Sequence, residues 1–257
     1  MKRRHLFEFH ELPGCPAVLR QLVTGFLEAI TTLFQPYLPK IDLLVRALQS
    51  TGTGRIVDLC SGNGGPWFQL ARQVEQKTGQ PVSVMLTDKF PSREAKARAE
   101  SVAGLTYFGD SVDARCVPER LQGLRTLFNG LHHFQPEDAQ AVLRDAVAKG
   151  QPIAVFELLQ RNWFTVLHAL LLPISVLVFT PLVRPLTWQR LLLTYVIPVA
   201  SVVLLWDGMI SVLRCYRPEE LRTMAEGLAG RRYCWEAGSY WHRTAPITYL
   251  VGYPVEE

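Results

Sequence analysis

Asp58-Leu59-Cys60-Ser61-Gly62-Asn63-Gly64-Gly65 is the stretch on which the reading of this 257-residue chain turns. Three glycines in four positions let the backbone bend sharply and let a ligand approach it closely. The stretch follows a short apolar run, Arg55-Ile56-Val57-Asp58-Leu59, and precedes Pro66, a residue suited to a first helical turn. Strand, glycine turn and helix together make the layout of a nucleotide-type site. The dinucleotide fingerprint GxGxxG is not met, because Trp67 holds the place of its third glycine. Asp58, just ahead of the turn, would repel a pyrophosphate. It suits a ligand that carries a positive amino group and no phosphate.

Working outward, strand and helix alternate. Pro81 to Thr87, Leu105 to Phe108, Thr126 to Phe128 and Pro152 to Leu158 read as strands. Helices are predicted from Pro66 to about Gln76, from a cap at Ser92 through Arg98, and from Pro136-Glu137-Asp138 onward. Ile247-Thr248-Tyr249-Leu250-Val251 reads as a closing strand. Such units predict an α/β fold, a doubly wound and mostly parallel sheet. Upstream, Pro16 to Leu33 and Ile41 to Leu48 are apolar at helical spacing and predict N-terminal helices, which Thr51-Gly52-Thr53-Gly54 ends.

An acid followed by a glycine-rich turn resembles the first motif of the class I S-adenosylmethionine-dependent methyltransferases. The resemblance covers roughly residues 55 to 160, and the order of segments agrees with it. It implies a seven-stranded Rossmann-like sheet and S-adenosylmethionine as cofactor, a molecule with an amino group, a sulfonium and no phosphate. It also implies site residues. Asp58, Cys60, Gly62, Asn63 and Gly64 form the cofactor loop. Asp88 ends the second strand, about 30 residues after Asp58, and would hold the ribose hydroxyls, with Lys89 beside it. Asp110, in Gly109-Asp110-Ser111, would meet the adenine amino group with Ser111. Asn129-Gly130-Leu131-His132-His133-Phe134 is similar to a stretch near the methionine part of the cofactor, which adds Asn129. One departure stands out. The family's first loop position is usually glycine, and here it is Cys60, for which a slightly altered turn is expected.

Methyl transfer needs a nucleophile in line with the sulfonium methyl, and a base only where that nucleophile carries a proton. His132 and His133 are the candidate bases, since imidazole titrates near neutrality. The alternative is that one packs against the loop and the other is exposed. Glu157, ending the fifth strand, either orients a substrate or caps a neighbouring helix. Trp67 and Trp163 either line a pocket or belong to the core. Cys60 has no visible paired base, which argues against a nucleophile.

From Trp163 to Val183 run about 21 residues without formal charge, and Leu191 to Trp206 adds about 16. The first would extend about 31 Å as a helix, the second about 24 Å. Arg184-Pro185-Leu186-Thr187-Trp188-Gln189-Arg190 separates them, and Pro173, Pro181 and Pro198 interrupt them. Both flanks belong to the α/β domain, so an apolar helical hairpin inserted before the last strands is expected. Full crossing would place Arg184 and Arg190 beyond the membrane, against the positive-inside tendency. A monotopic, interfacial hairpin is therefore favoured over a spanning hairpin or a buried lid. The expected organisation is a helical cap at 1–50, the cofactor core at 51–162, the insert at 163–206 and the rest of the sheet at 207–257.

Composition agrees with a globular protein: 48% hydrophobic and 19% charged, with a formal net charge of +4. Basic residues cluster only at Lys2-Arg3-Arg4 and Arg231-Arg232, so no nucleic-acid partner is expected, whereas membrane lipids are. Cys15, Cys60, Cys116, Cys215 and Cys234 show no CxxC spacing, so no metal is expected. Their odd, scattered set fits a reducing compartment. His5-Leu6-Phe7-Glu8-Phe9-His10 is too polar for a secretory signal core. The combined expectation is a methyltransferase acting on a hydrophobic or lipid-like small molecule. It would work at the cytoplasmic face of a membrane, or in the cytoplasm if the insert is a lid. The rival classes are a cofactor-binding protein without turnover and a membrane module with a vestigial α/β domain.

Overall fold

Every strand expected from the sequence forms, within a few residues. The computed structural model describes residues 1–12, 14–228, 233–243 and 245–255, so the Arg231-Arg232 cluster lies outside the described residues. In chain order the elements are α1 (Ala17–Phe34), α2 (Ile41–Gln49), β1 (Arg55–Asp58), α3 (Trp67–Thr78), β2 (Ser83–Leu86), α4 (Arg93–Glu100), β3 (Leu105–Tyr107), β4 (Leu124–Phe128), α5 (Pro136–Ala148), β5 (Ile153–Glu157), α6 (Trp163–Ala169), α7 (Leu172–Phe179), α8 (Trp188–Leu191), α9 (Val199–Arg214), α10 (Pro218–Glu226), β6 (Tyr233–His242) and β7 (Ala245–Pro254). They gather into two units. One comprises Met1–Gln35 with Leu159–Cys215, the other Pro36–Leu158 with Tyr216–Glu257.

The larger unit is built on a seven-stranded sheet in the order β3-β2-β1-β4-β5-β7-β6. β1 to β5 run parallel, and β7 and β6 close the sheet antiparallel. Side chains on these strands alternate between two cores. Ile56, Leu124, Ala154 and Phe156 pack on one face with Leu44, Leu48, Trp67, Leu70 and Val74 of α2 and α3. Val57, Leu127, Ile153 and Val155 pack on the other with Val142, Leu143 and Leu221 of α5 and α10. Helices thus cover both faces, which is why the strands read as continuous apolar runs. The chain leaves β1 toward β2 and β3, then returns to β4 and β5 on the opposite side. This makes a switch point at the carboxyl ends of β1 and β4, where open α/β sheets bind ligands. The Ser92 hydroxyl caps α4 by accepting from the Ala95 N–H, as expected.

β6 is the strand that sequence pattern did not reveal. Of its residues only Ala237 is buried, because β6 is an edge strand, so no alternation marks it.

The smaller unit corrects the expected two-helix hairpin. Residues 163–214 form four helices, with a 3-10 turn at Thr180–Leu182 and a π-turn at Leu192–Val196. The prolines explain the breaks. Pro173 lies in the first turn of α7, Pro181 in the 3-10 turn, and Pro198 is the N-cap of α9; each lacks the N–H that a continuing helix needs. Nor does the insert stand alone. Leu22, Val23 and Phe26 of α1 form one core with Val176, Val183, Ala200, Val203 and Leu204. α1 is thus grouped with the insert, and α2 with the sheet-bearing unit.

The segment before α1 is fastened to α9 by charge. Arg214 donates to both Glu11 oxygens at 2.7 Å, pairs with Glu8 at 3.1 Å and donates to the Leu6 carbonyl at 2.7 Å. Asp207 accepts from the Phe9 N–H at 2.6 Å and lies 2.9 Å from His10 Nδ1. Glu8, Asp207 and Arg214 are all buried, which is tolerable only because each is paired.

Candidate functional site

The loop after β1 is shaped by left-handed backbone at four of its residues: Cys60 (φ 57°), Gly62 (52°), Gly64 (103°) and Gly65 (50°). Gly64 has a second reason to be glycine. A Cβ there would come within 2.6 Å of the Phe68 ring and 3.1 Å of Leu86. Cys60 takes up the left-handed conformation that a glycine would have taken, at a cost on the order of 1 kcal/mol.

Three backbone links hold this loop on the sheet edge. The Thr87 N–H donates to the Asp58 carbonyl at 2.8 Å, the Ser61 N–H to the Thr87 carbonyl at 3.0 Å, and the Leu59 N–H to the Thr126 carbonyl at 2.8 Å. The Gly62 N–H then donates to Asp88 Oδ2 at 2.9 Å. Asp88 Oδ1 accepts from the Phe90 N–H at 2.8 Å. Asp58, Cys60, Gly62 and Asp88 are thus brought together. Asn63 and Gly64 lie in the same turn, whose Gly64 N–H donates to the Ser61 carbonyl at 2.8 Å.

Asp58 is buried, and burial pushes its carboxyl up to about 6, against the lowering effect of hydroxyl hydrogen bonds. One is donated by Thr126 to Asp58 Oδ1 at 2.6 Å. The charged group acting on it is another acid, Asp88. Burial also raises the Cys60 thiol, with Asp88, Asp58, Asp113 and Glu157 adding to the effect. Such a thiol stays protonated and is a poor nucleophile. The loop is therefore an electronegative spot with a cation-seeking carboxylate. That donor set fits a ligand bearing an ammonium and a sulfonium, and it disfavours a pyrophosphate.

The remaining expected cofactor residues form an exposed rim. Ser111 Oγ donates to the Lys89 carbonyl at 2.6 Å, and the Val112 N–H donates to the Asp88 carbonyl at 3.0 Å. Lys89 pairs with Asp113 at 3.8 Å, and Asp110 with Arg120 at 3.5 Å. Phe90 presents an 80% exposed ring on this rim.

Beyond β4, Asn129 also has left-handed backbone (φ 53°). Its amide group is occupied in tying strand ends. Nδ2 donates to Tyr37 Oη at 2.8 Å, and Oδ1 accepts from the Leu158 N–H at 2.7 Å. Glu157 is likewise engaged. Oε1 accepts from the Leu131 and His132 N–H groups at 2.8 and 3.1 Å, and Oε2 lies 2.6 Å from His132 Nδ1. Burial acts to raise the Glu157 carboxyl, but attraction to His132 and His133 and bonding to His132 win, and it sits below the ordinary carboxylate range. His133 is half-buried, its ring centroid 4.1 Å from that of His132. A Cβ on Gly130 would lie 3.3 Å from that of Cys60, so the histidine turn abuts the glycine loop. Trp67 is fully buried in the core, and Trp163 lies in the smaller unit, 71% exposed.

Sequence reasoning missed Thr126, Ser61, Thr87 and Tyr37. For Thr126 there was a signal, a polar residue inside an apolar central strand. For Tyr37 there was none.

No family model matches this chain, and no curated protein sequence matches it. Among solved structures it is similar to the apo form of the S-adenosylmethionine-dependent methyltransferase SibL. The TM-score is 0.53 at 13% identity, over 95% of this chain and 60% of that one. It is also similar to human N-acetylserotonin methyltransferase in complex with S-adenosylmethionine, with a TM-score of 0.52 at 13% identity, over 97% of this chain and 63% of that one. The chain thus spans less than two thirds of the length of these two structures. At this identity the likeness concerns the fold, and the fold of this chain is that of the class I methyltransferases.

Proposed function

We propose that this chain transfers the methyl group of S-adenosylmethionine to a hydrophobic, lipid-like small molecule at the cytoplasmic face of a membrane. The observation that carries the cofactor reading is the glycine loop latched to Asp88 at the switch point, beside buried Asp58, whose carboxylate accepts from the Thr126 hydroxyl. Asp58 would attract the cofactor's amino group, Asp88 the ribose hydroxyls, and Asp110 with Ser111 the adenine edge. Bound there, S-adenosylmethionine supplies an activated methyl on its sulfonium. The His132–Glu157 pair favours turnover over binding alone. A carboxylate that fixes one ring nitrogen sets the orientation of an imidazole able to accept a proton. Apolar side chains exposed in the smaller unit, such as Leu167 and Ile174, favour a lipid-like acceptor and contact with lipid.

Two tests follow. Asp88→Ala removes a charge-assisted pair worth roughly 1.5–3 kcal/mol, so calorimetry should show S-adenosylmethionine binding weakened by about 10- to 150-fold. Wild-type protein that gives no heat with S-adenosylmethionine yet binds NADH tightly would end the proposal. Affinity should also depend on pH through Asp58. With its carboxyl raised to about 6, it is protonated at pH 5 and charged at pH 7. Attraction to an ammonium therefore grows as pH rises through 6. Asp58→Asn should abolish that step, and a flat wild-type profile would remove Asp58 from the site.

A further inference from the structure

Formal charge is divided unevenly between the two units. Residues 1–35 and 159–215 carry eight Lys and Arg against four Asp and Glu, a surplus equal to the chain's whole net charge of +4. The sheet-bearing unit is balanced, with 19 of each sign. Glu8 and Glu11 are used internally by Arg214, and Asp207 by the Phe9 N–H and His10. Lys2, Arg4, Arg20 and Arg184 are exposed.

The same unit presents apolar side chains outward. Along α6 and α7, Trp163, Leu167, Leu170, Ile174 and Val178 are 71%, 63%, 52%, 60% and 61% exposed. Within each helix the exposed pair is four residues apart, Trp163 with Leu167 and Ile174 with Val178, so each helix turns an apolar stripe outward, with Leu170 exposed at the bend between them. The opposite side is apolar as well, with Ala169 and Val176 buried. A helix apolar all round belongs against protein or lipid, not water. Val196 in the π-turn and Val202 in α9 are also 72% and 62% exposed. From 163 to 206 there is no Asp or Glu; the charged residues are Arg184 and Arg190.

The shape of the pieces limits depth. α6 and α7 have 7 and 8 residues, about 12 Å at most, against a hydrocarbon core of about 30 Å. Each apolar run is bent, by 46° in the first and 79° in the second. Arg190, between the runs, is buried and donates to the carbonyls of Pro185 and of Gln21 in α1. The far end of α9 is occupied by the Asp207 and Arg214 clamp. By length and composition α1 passes as a span, but Leu22, Val23 and Phe26 hold it to the unit's own core.

We infer that this smaller unit is a one-leaflet insertion module selective for anionic lipid, with the α6–α7 stripe entering the acyl layer and the surplus cations meeting the headgroups. The inference rests on the membrane reading above and names its partner. Full-length protein is sedimented with vesicles of phosphatidylcholine, alone or mixed with phosphatidylglycerol. Binding to the anionic vesicles should be at least about tenfold stronger at low salt. In high salt it should fall to the level of the neutral vesicles, since only apolar insertion then remains. Leu167→Ser with Ile174→Ser and Val178→Ser should weaken both by about tenfold or more. Lys2→Gln with Arg4→Gln and Arg184→Gln should remove only the preference. In wild-type protein, lipids brominated high on the acyl chain should quench tryptophan fluorescence more than lipids brominated at its end, which needs no variant to fold. Equal binding to both vesicles, or equal quenching at both depths, overturns the inference. So does self-association without vesicle binding, which would assign the stripe to a second copy. S-adenosylmethionine calorimetry on the same samples separates this outcome from failure of the cofactor reading.

Discussion

Replacing His132 by alanine should slow methyl transfer by roughly 10²–10⁴-fold while S-adenosylmethionine affinity stays within about twofold. The expectation comes from how the residue is held. Glu157 accepts from two backbone N–H groups of the histidine turn and lies 2.6 Å from His132 Nδ1, so turn and ring are fixed together. Nδ1 being the anchored nitrogen, proton acceptance falls to Nε2. The Glu157 carboxylate bonds the ring of His132, and His133→Ala should change the rate by less than about tenfold. Glu157→Gln keeps the shape but removes the charge, and should cost roughly 10²-fold, with the pH–rate profile displaced as a positioning role requires. The sign for stability follows from the lowered Glu157 carboxyl. Its contribution is complete at neutral pH and is lost as acid carries it through that lowered range. The measurement is S-adenosylhomocysteine formed with the acceptor that copurifies with the protein. Near-normal rates in both single histidine variants would make the histidines structural.

Removing residues 1–35 together with 159–215, the latter replaced by a short polar linker, should move the protein from the membrane pellet to the soluble fraction almost completely. The remaining sheet-bearing unit should still bind S-adenosylmethionine. Wild-type protein should stay in the pellet through a high-salt wash, because apolar insertion is not screened as charge attraction is. Removing only 164–205 should fail to release it. That cut strips Val176, Val183, Ala200, Val203 and Leu204 from a core they share with α1. Leu22, Val23 and Phe26 would then face water, at about 1.5–3 kcal/mol each. α1 is itself long and apolar enough to cross a membrane. Full-length protein recovered monodisperse without detergent would defeat the membrane reading.

What the sequence by itself determined is local or periodic. The strands from β1 to β5 and β7 were legible because a sheet covered on both faces makes each strand a short apolar run bounded by turn residues. The glycine loop was legible because left-handed backbone restricts residue choice, Asp58 because it ends β1, and Asp88 because it lies two residues beyond β2. The tertiary structure decided whatever depends on residues distant in sequence. Glu157 meets His132 across 25 positions, and Asn129 reaches Tyr37 across 92. Through these pairings Glu157 anchors the histidine turn, and Asn129 ties the end of β4 to Tyr37. The prolines at 173, 181 and 198 could be read in advance, but not the angles they produce. Nor could the union of α1 with the insert, since apolar periodicity marks a face to be buried and is silent about its partner. β6 escaped for the converse reason: an edge strand buries little, and little burial leaves little pattern.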